Sequence, residues 1–461
     1  MGHSTIVEEK FIFTQEIKKK IFFLLGAGIL LFAIGLFLAN RSEGADHGDG
    51  HGSVGVQNNM VASVDQAAAS DAHAEGEHHE TATWLKRLYT TLWMNNIYFV
   101  GLGIIGLFFV AIQYAAQAGW SSGLKRIPLA MGHWLPIAFG LTLVLWFVTN
   151  HDIFHWTHGS LYGEYVDEAK TQLNPDYDWI IDGKAPYFFW PGEAGGFPIF
   201  FIARMVIFFG MWYWFFTMIK KNMLAEDLEA DTKYWYKNRI ISTWFLVFFA
   251  VSSSVAAWDW VMSIDTHWFS TMFGWYVFAS WWVTALAMIT LIVVYLKDAG
   301  YLKVVNANHL HDLGKFVFAF SIFWTYIWFS QFLLIYYANI PEETVYFIER
   351  MTTSPYSWIF FTNLILNFVL PFLLLMTRDA KRHLSMLKVV CPIVIVGHWF
   401  DFYNMVTPGV MKNDGGLGLL EIGTAFIFLA AFLWITLSSL SKMPLFGKNH
   451  PLLEESLHHH I

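Results

Sequence analysis

The sequence predicts an all-α membrane protein with about ten transmembrane helices, and three observations carry that prediction. The chain is too apolar for a soluble fold: 56% of its 461 residues are hydrophobic and only 14% are charged. Its apolar residues come in runs of about twenty, the length that crosses a hydrocarbon core of ~30 Å at 1.5 Å per residue. Its basic residues fall mostly on one side of those runs.

Ten runs meet the length requirement: 21–39, 94–116, 131–149, 198–219, 240–263, 271–296, 315–339, 355–376, 386–407 and 419–440. The first follows Lys18-Lys19-Lys20, as a secretory signal would, and Leu38-Ala39 loosely imitates a cleavage site. It is longer than the ~7–15-residue core of a signal and reads as a span. With the N-terminus inside, twenty of the 28 basic residues lie in inner segments and seven in outer ones, with Arg204 alone within a span. That excess predicts both termini in the cytoplasm.

The net charge of −8 reflects acidic outer segments at 42–80 and 152–193, and no basic patch calls for a polyanion, so nucleic acid is not an expected partner. Cys391 is the only cysteine, which excludes a disulfide, an iron–sulfur cluster or a Cys-x-x-Cys-His haem attachment built from this chain alone. A haem held between spans would need two deep histidines, and only His398 is deep. No cofactor or metal is therefore expected on this chain.

Between the first two runs, 42–83 is rich in Ala, Gly, Ser, Asp, Glu and His and too poor in apolar residues to fold alone. Its histidines (His47, His51, His73, His78, His79) read as incidental to a solvated loop. Segment 150–197 interleaves aromatics, among them Tyr162, Tyr165, Tyr177, Trp179, Tyr187 and Trp190, with Asp, Gly and Pro, which predicts an ordered loop on the membrane surface or against a partner.

A short internal repeat organises the spans. The fifth ends Trp258-Asp259-Trp260 and the ninth ends Phe400-Asp401-Phe402, each with an aspartate between aromatics. Four spans separate them, so both helices run the same way. The third opens Gly132-His133-Trp134 and the seventh Gly314-Lys315-Phe316. Spans two to five and six to nine thus read as two four-helix bundles in a parallel repeat.

Burying a charge at a helix centre costs ~2.5–3.5 kcal/mol on insertion scales, so each such group needs a partner, water or a function. Counting from span midpoints, Arg204 and Asp401 lie ~6 Å outward of centre, Asp259 ~12 Å outward and Glu421 near the outer rim, with His398 close to the middle. His398 and Asp401, three residues apart, share a helix face. Arg204, Asp259, His398 and Asp401 are therefore expected at depths where they can meet, either as an ion pair that locks helices or as proton stations. His133 and Lys315 lie at the inner boundary, as anchors or as proton entrances. Ser252, Ser253, Ser254, Gln331, Asn363 and Asn367 offer polar stations between.

The opening His311-Asp312-Leu313-Gly314-Lys315, the run Trp324-Thr325-Tyr326-Ile327-Trp328-Phe329-Ser330-Gln331, the string Tyr336-Tyr337-Ala338-Asn339-Ile340-Pro341-Glu342-Glu343 and the ending Trp258-Asp259-Trp260 resemble the ActF subunits of bacterial alternative complex III. These are similar to the NrfD/polysulfide-reductase membrane subunits, built of two four-helix bundles plus flanking helices. The resemblance implies a bacterial inner-membrane subunit of a quinol:cytochrome c oxidoreductase. Its partners would be an ActC-like quinol-oxidising subunit, iron–sulfur and multihaem cytochrome c subunits and a terminal oxidase, with menaquinol bound nearby. It implies a proton path from His133 and Lys315 toward His398, Asp401 and Asp259; Arg204 and Glu421 complete the candidate set. No quinone site is matched.

The expected organisation is a cytoplasmic terminus 1–20, the first span 21–39, a His-rich outer segment 40–93, a first bundle 94–263, a second bundle 271–407, a last span 419–440 and a cytoplasmic tail 441–461. Two other functions stay open on the residues alone: a secondary transporter of a small ion or solute, and a purely structural anchor for redox subunits. The topology is directly testable. Reporters fused after Ala225 or Asp379 should report from the cytoplasm, and those fused near Gly50 or Glu168 from outside; opposite labelling at two of these points would overturn the ten-span order.

Overall fold

The computed structural model describes residues 8–46, 81–165, 171–229 and 231–460. These are overwhelmingly helical, and among them the only β pairing is two isolated bridges, Lys10 with Pro444 and Tyr165 with Leu173. Among the described residues, ten helices are long and apolar enough to cross a membrane: span one Gln15–Arg41, span two Thr83–Ala115, span three Arg126–Ile153, span four Ile199–Leu228, span five Lys233–Ile264, span six Phe273–Asp298, span seven Ala307–Ala338, span eight Ser354–Leu374, span nine Leu384–Asp414 and span ten Leu419–Leu440. The fold is that of an all-α, multi-pass membrane protein. An even number of crossings puts both chain ends on one side, here the terminal side; the opposite side is the far side.

Each helix contains most of its apolar run, and several extend past it, because hydropathy marks only the part that matches hydrocarbon. Backbone hydrogen bonding adds one bond per residue and carries the helix on into polar sequence. Span five thus begins seven residues before its apolar run, in Lys233–Arg239. Span eight is interrupted by a π turn at Ile365–Val369. Pro371 lacks an N–H and its ring clashes with the carbonyl four residues back, that of Asn367, so the wider turn relieves the clash.

Helix contacts close two rings. In the first, span two packs on three, three on four, four on five and five on two; in the second, six packs on seven, seven on eight, eight on nine and nine on six. The rings meet through spans two and six, which touch each other, while span two also touches nine and span six touches five. In these two central helices 89% of the apolar window is buried, against 17% in span one.

Polar side chains of span two hold the rings together. The Trp93 indole donates to the Trp260 carbonyl (2.9 Å) in span five, and Asn96 Nδ2 to Thr142 Oγ1 (2.8 Å) in span three. Tyr98 Oη donates to the Ile395 carbonyl (2.8 Å), and Asn95 Oδ1 accepts from the Trp399 indole (2.9 Å), both in span nine. Without water in the bilayer core, such groups must find one another, and they fix how the helices sit.

Spans one and ten pair outside the rings through close backbone approach. A Cβ placed on Gly35 would lie 2.2 Å from the Leu420 nitrogen, and one on Gly423 would lie 2.3 Å from the Phe32 nitrogen. Small residues at such a crossing let backbones touch where lipid supplies no hydrophobic drive.

On the far side, two short helices, Trp179–Phe189 and Pro341–Thr352, lie over the rings. Trp156 stacks on Phe188 with centroids 3.9 Å apart, and Trp268 on Tyr346 at 4.0 Å. The described parts of 150–197 are ordered, as their aromatic content predicts, with Trp156, Phe188 and Phe189 buried and Trp179 and Trp190 exposed. Residues 47–80 of the His-rich segment, with all five of its histidines, lie outside the described residues. On the terminal side the tail after span ten folds back. The Leu445 amide donates to the Glu9 carbonyl (2.8 Å), Ser456 Oγ to the Trp120 carbonyl (2.9 Å), and Leu453 and Phe446 are buried.

The glycine contact generates a test. Gly423→Leu should push span ten off span one and cost about 1–3 kcal/mol, the usual range for overpacking. Gly26→Ala, which meets nothing within 4 Å, should be neutral or stabilising by up to about 1 kcal/mol. Thermal unfolding of the two variants in mild detergent reads the difference.

Candidate functional site

Arg204 lies near the far-side end of span four and Asp259 near that of span five, antiparallel neighbours that bring the two to one depth. The pair is bidentate: Nε to Oδ2 is 2.7 Å and Nη2 to Oδ1 is 2.9 Å. The third guanidinium nitrogen, Nη1, donates to the Tyr187 carbonyl (2.8 Å), and the Tyr187 and Phe200 rings flank the cation at 4.2 and 4.5 Å. Asp259 is wholly buried. Each guanidinium nitrogen and each carboxylate oxygen has a partner, which makes the unit an ion-paired clamp between spans four and five.

Asp401 is equally buried but held differently. It accepts from the Tyr276 hydroxyl of span six, from the Trp324 indole of span seven (2.9 Å) and from Asn363 Nδ2 of span eight (2.8 Å). Each other helix of the second ring thus contributes one neutral donor. Asn363 Oδ1 in turn accepts from Asn367 Nδ2 (2.5 Å). Among the described residues no Lys or Arg pairs with Asp401. One turn back, His398 Nδ1 lies 3.8 Å from Asp401 Oδ2 and 3.0 Å from Ser280 Oγ, while its buried Nε2 has no partner.

On the far side of Asp401 is a cavity of about 10 Å³, lined by Tyr276, Gln331, Arg350, Asn363 and Asn404 among others. That is room for about one water. Both side-chain polar atoms of buried Asn404 are unpartnered, as a water-facing group would be. The Arg350 guanidinium closes the cavity outward: Nε donates to the Asn404 carbonyl (2.7 Å), Nη2 to Asp265 Oδ2 (2.8 Å), and the Tyr346 ring lies 3.4 Å away. Burial holds the neighbouring Glu349 carboxyl above its usual range, partly offset by Lys412, whose Nζ is 3.7 Å away.

The four outward groups expected at one depth therefore do not form one cluster: Arg204 and Asp259 belong to the first ring, His398 and Asp401 to the second. Glu421 lies elsewhere again. It pairs with Arg87 of span two (2.6 Å) and accepts from the Gly418 amide (2.7 Å), capping span ten. His133 and Lys315 sit in different rings. His133 Nε2 is 2.8 Å from Lys220 Nζ in a short 3₁₀ turn of span three. Lys315 Nζ is 2.6 Å from Asp312 Oδ1, whose Oδ2 meets His459 Nε2 at 2.6 Å. Ser252 accepts from the Trp212 indole (2.9 Å) and Gln331 donates to Ser270 (2.8 Å), so these stations belong to separate local bonds.

Residues that sequence reasoning missed complete both ends. Tyr276, Ser280, Trp324 and Asn404 look like ordinary span residues in one dimension; only the ring turns the first three toward span nine and sets Asn404, on span nine itself, at the cavity. On the terminal side, buried Lys125 lies over the Tyr114 ring (4.4 Å) and 3.4 Å from His450 Nε2. Burial lowers the Lys125 ammonium to about 8; burial together with the Lys125 and Arg126 charges lowers His450 to about 2, which keeps it neutral. Arg126 grips Asp227 (2.7 Å), and Glu226 Oε1 is buried without a partner. The adjacent acids Glu226-Asp227 at the end of an apolar run were the one signal, and the returning tail that brings His450 left none.

No family model and no curated protein matches the chain. What the arrangement can do chemically follows from the contrast between its two aspartates. Asp259 spends both oxygens on one guanidinium, whereas Asp401 takes only neutral donors and stands 3.8 Å from an imidazole whose Nε2 has no partner, so only the second arrangement lines up groups that can both donate and accept, the Tyr276 hydroxyl and the His398 ring.

The clamp is testable by its energetics. Asp259→Asn should strand Arg204 and cost about 3–5 kcal/mol, whereas the apolar pair Arg204→Leu with Asp259→Leu should recover most of that loss. Thermal unfolding of the purified variants would decide it; a double variant no better than the single one would mean that the pair does more than join helices.

Proposed function

We propose that the chain is a co-catalytic membrane subunit of a respiratory quinol:electron-acceptor oxidoreductase of the alternative complex III type, and that its second ring conducts protons across a bacterial cytoplasmic membrane. The observation that carries the proton role is Asp401, a fully buried carboxylate with three neutral donors, no cationic partner among the described residues and a histidine 3.8 Å away. Burying such a group is costly on insertion scales, and a protein that needed only packing would place an apolar residue there.

The route runs along spans seven and nine. Asp312, Lys315 and His459 receive protons at the terminal side, which the excess of basic residues assigns to the cytoplasm. Ser321, buried with a free hydroxyl, lies nine residues farther along span seven, about 14 Å at helical rise. His398 takes the proton on its free Nε2 and releases one from Nδ1 toward Asp401, and the cavity at Asn404 and Gln331 hands it outward past Arg350. Water must bridge the longer gaps. Quinol oxidation, electron transfer and the iron–sulfur and c-haem groups belong to partner subunits, and a partner's redox state biases the path by altering charge or geometry at the ring.

The reading differs from a structural anchor in one measurable respect. Asp401→Asn keeps the size of the side chain and leaves an amide oxygen to accept from Tyr276 and Asn363, losing only the Trp324 bond, so the complex should assemble with all its subunits. In sealed vesicles the protons released per electron transferred should fall, at near-normal electron transfer under uncoupled conditions. Unchanged proton release in an intact Asp401→Asn complex would refute conduction through this ring and leave the anchor role; purification of the chain free of redox subunits would instead favour an independent transporter.

A further inference from the structure

Between spans four and five, on the outer surface of the first ring and far from Asp401, runs a groove of about 430 Å³ whose walls are entirely apolar, among them Met211, Trp214 and Met218 on span four and Ile241, Trp244 and Phe248 on span five. Trp214 is 49% exposed and Trp244 66%, so neither ring is covered by this chain.

The lining residues recur at helical spacing, and the same two stripes continue toward the terminal side into one lysine each. On span four the series 211, 214, 218 reaches Lys221; on span five, read toward the terminal side, 248, 244, 241 reaches Lys237. Both lysines are exposed, and neither forms an ion pair among the described residues. The nearby acids Glu229 and Asp231 are already held by Lys233, at 2.8 and 3.2 Å.

Length decides what fits. From Lys221 to Met211 is ten residues, about 15 Å along the helix, which is one leaflet of a hydrocarbon core ~30 Å thick. An apolar trough one leaflet deep, with a cation on each wall at its polar end, has the dimensions and charge of a single phospholipid molecule. A zwitterionic headgroup would leave the two ammonium charges uncompensated. A transmembrane helix of a partner would cover the whole membrane depth and gain nothing from paired lysines at one rim.

We propose that this groove is a binding site for one anionic phospholipid of the leaflet on the terminal side, its phosphate between Lys221 and Lys237 and an acyl chain between Trp214 and Trp244. Basic residues between spans at a membrane face recognise anionic headgroups in this way, and the aromatic rings grip the chain by contact. The lipid joins spans four and five on the outside, as the Arg204–Asp259 clamp joins them within.

The test uses the full chain purified in mild detergent, with native mass spectrometry during titration by phosphatidylglycerol or by phosphatidylcholine. The wild type should retain one phosphatidylglycerol in preference to phosphatidylcholine. Each cation near a headgroup is worth about fivefold, so Lys221→Gln with Lys237→Gln should reduce that preference by roughly 25-fold. Ile241→Trp, which fills the trough, should weaken both lipids, and Lys10→Gln with Lys19→Gln, exposed lysines that take no part in the groove, should change neither. A photoreactive amino acid at Trp244 should cross-link phospholipid in intact membranes. Equal affinity for the two lipids, an undiminished preference in the paired lysine variant, or cross-linking of a protein chain or a quinone in place of phospholipid would each overturn the proposal.

Discussion

Everything in this protein depends on the absence of water from the middle of a bilayer. A polar group there must be satisfied by another part of the chain or stay costly, and each such group in the spans can be asked where its partner is. In span two the answers are other helices: Trp93, Asn95, Asn96 and Tyr98 reach spans five, nine and three. These bonds and the close contact of spans two and six make one body of two rings. At Gly101 a Cβ would fall 1.8 Å from the Trp281 ring, so the backbone itself is part of the joint.

The same constraint separates two aspartates that look alike in sequence. Asp259 and Asp401 each stand between aromatics near the far end of a span. Asp259 has a guanidinium to neutralise it, aligned for two hydrogen bonds, and becomes a structural element. At Asp401 the neighbouring span offers the neutral amide of Asn363, and a tyrosine and a tryptophan complete the cage. Neutral donors satisfy the oxygens of Asp401 without bringing an opposite charge to it, unlike the guanidinium at Asp259. That asymmetry is why the proposed proton path runs through the second ring; the proposed lipid site on the first rests on a separate feature, the outer apolar groove and its two lysines. One ring holds its aspartate by ion pairing, whereas the other holds it by neutral hydrogen bonds.

The terminal side shows a further use of folding back. The tail after span ten is polar enough to be read as a solvated end, yet it buries Leu453, Phe446 and His450 against the mouths of both rings. It places His450 beside Lys125 and His459 beside Asp312, so groups distant along the chain share one electrostatic environment.

The sequence by itself determined the class of fold and the place of each of the ten spans, because length and apolarity are dictated by the thickness of the hydrocarbon and need no knowledge of neighbours. It also singled out Arg204, Asp259, His398 and Asp401, because a charge within an apolar run is costly wherever it ends up. Only the tertiary structure decided which of them meet. Depth along a helix can be counted from sequence, but rotation and neighbour cannot, since these arise from packing between segments dozens to hundreds of residues apart. Arg204 therefore could not be assigned to Asp259 rather than Asp401 in advance, Glu421 could not be seen to belong to Arg87, and the cage of Tyr276, Trp324 and Asn363 had no linear signature at all. Helix ends were misplaced for a related reason: hydropathy reports where lipid is, while backbone hydrogen bonding, which sets where a helix stops, continues into the polar interface until a turn or a returning segment ends it.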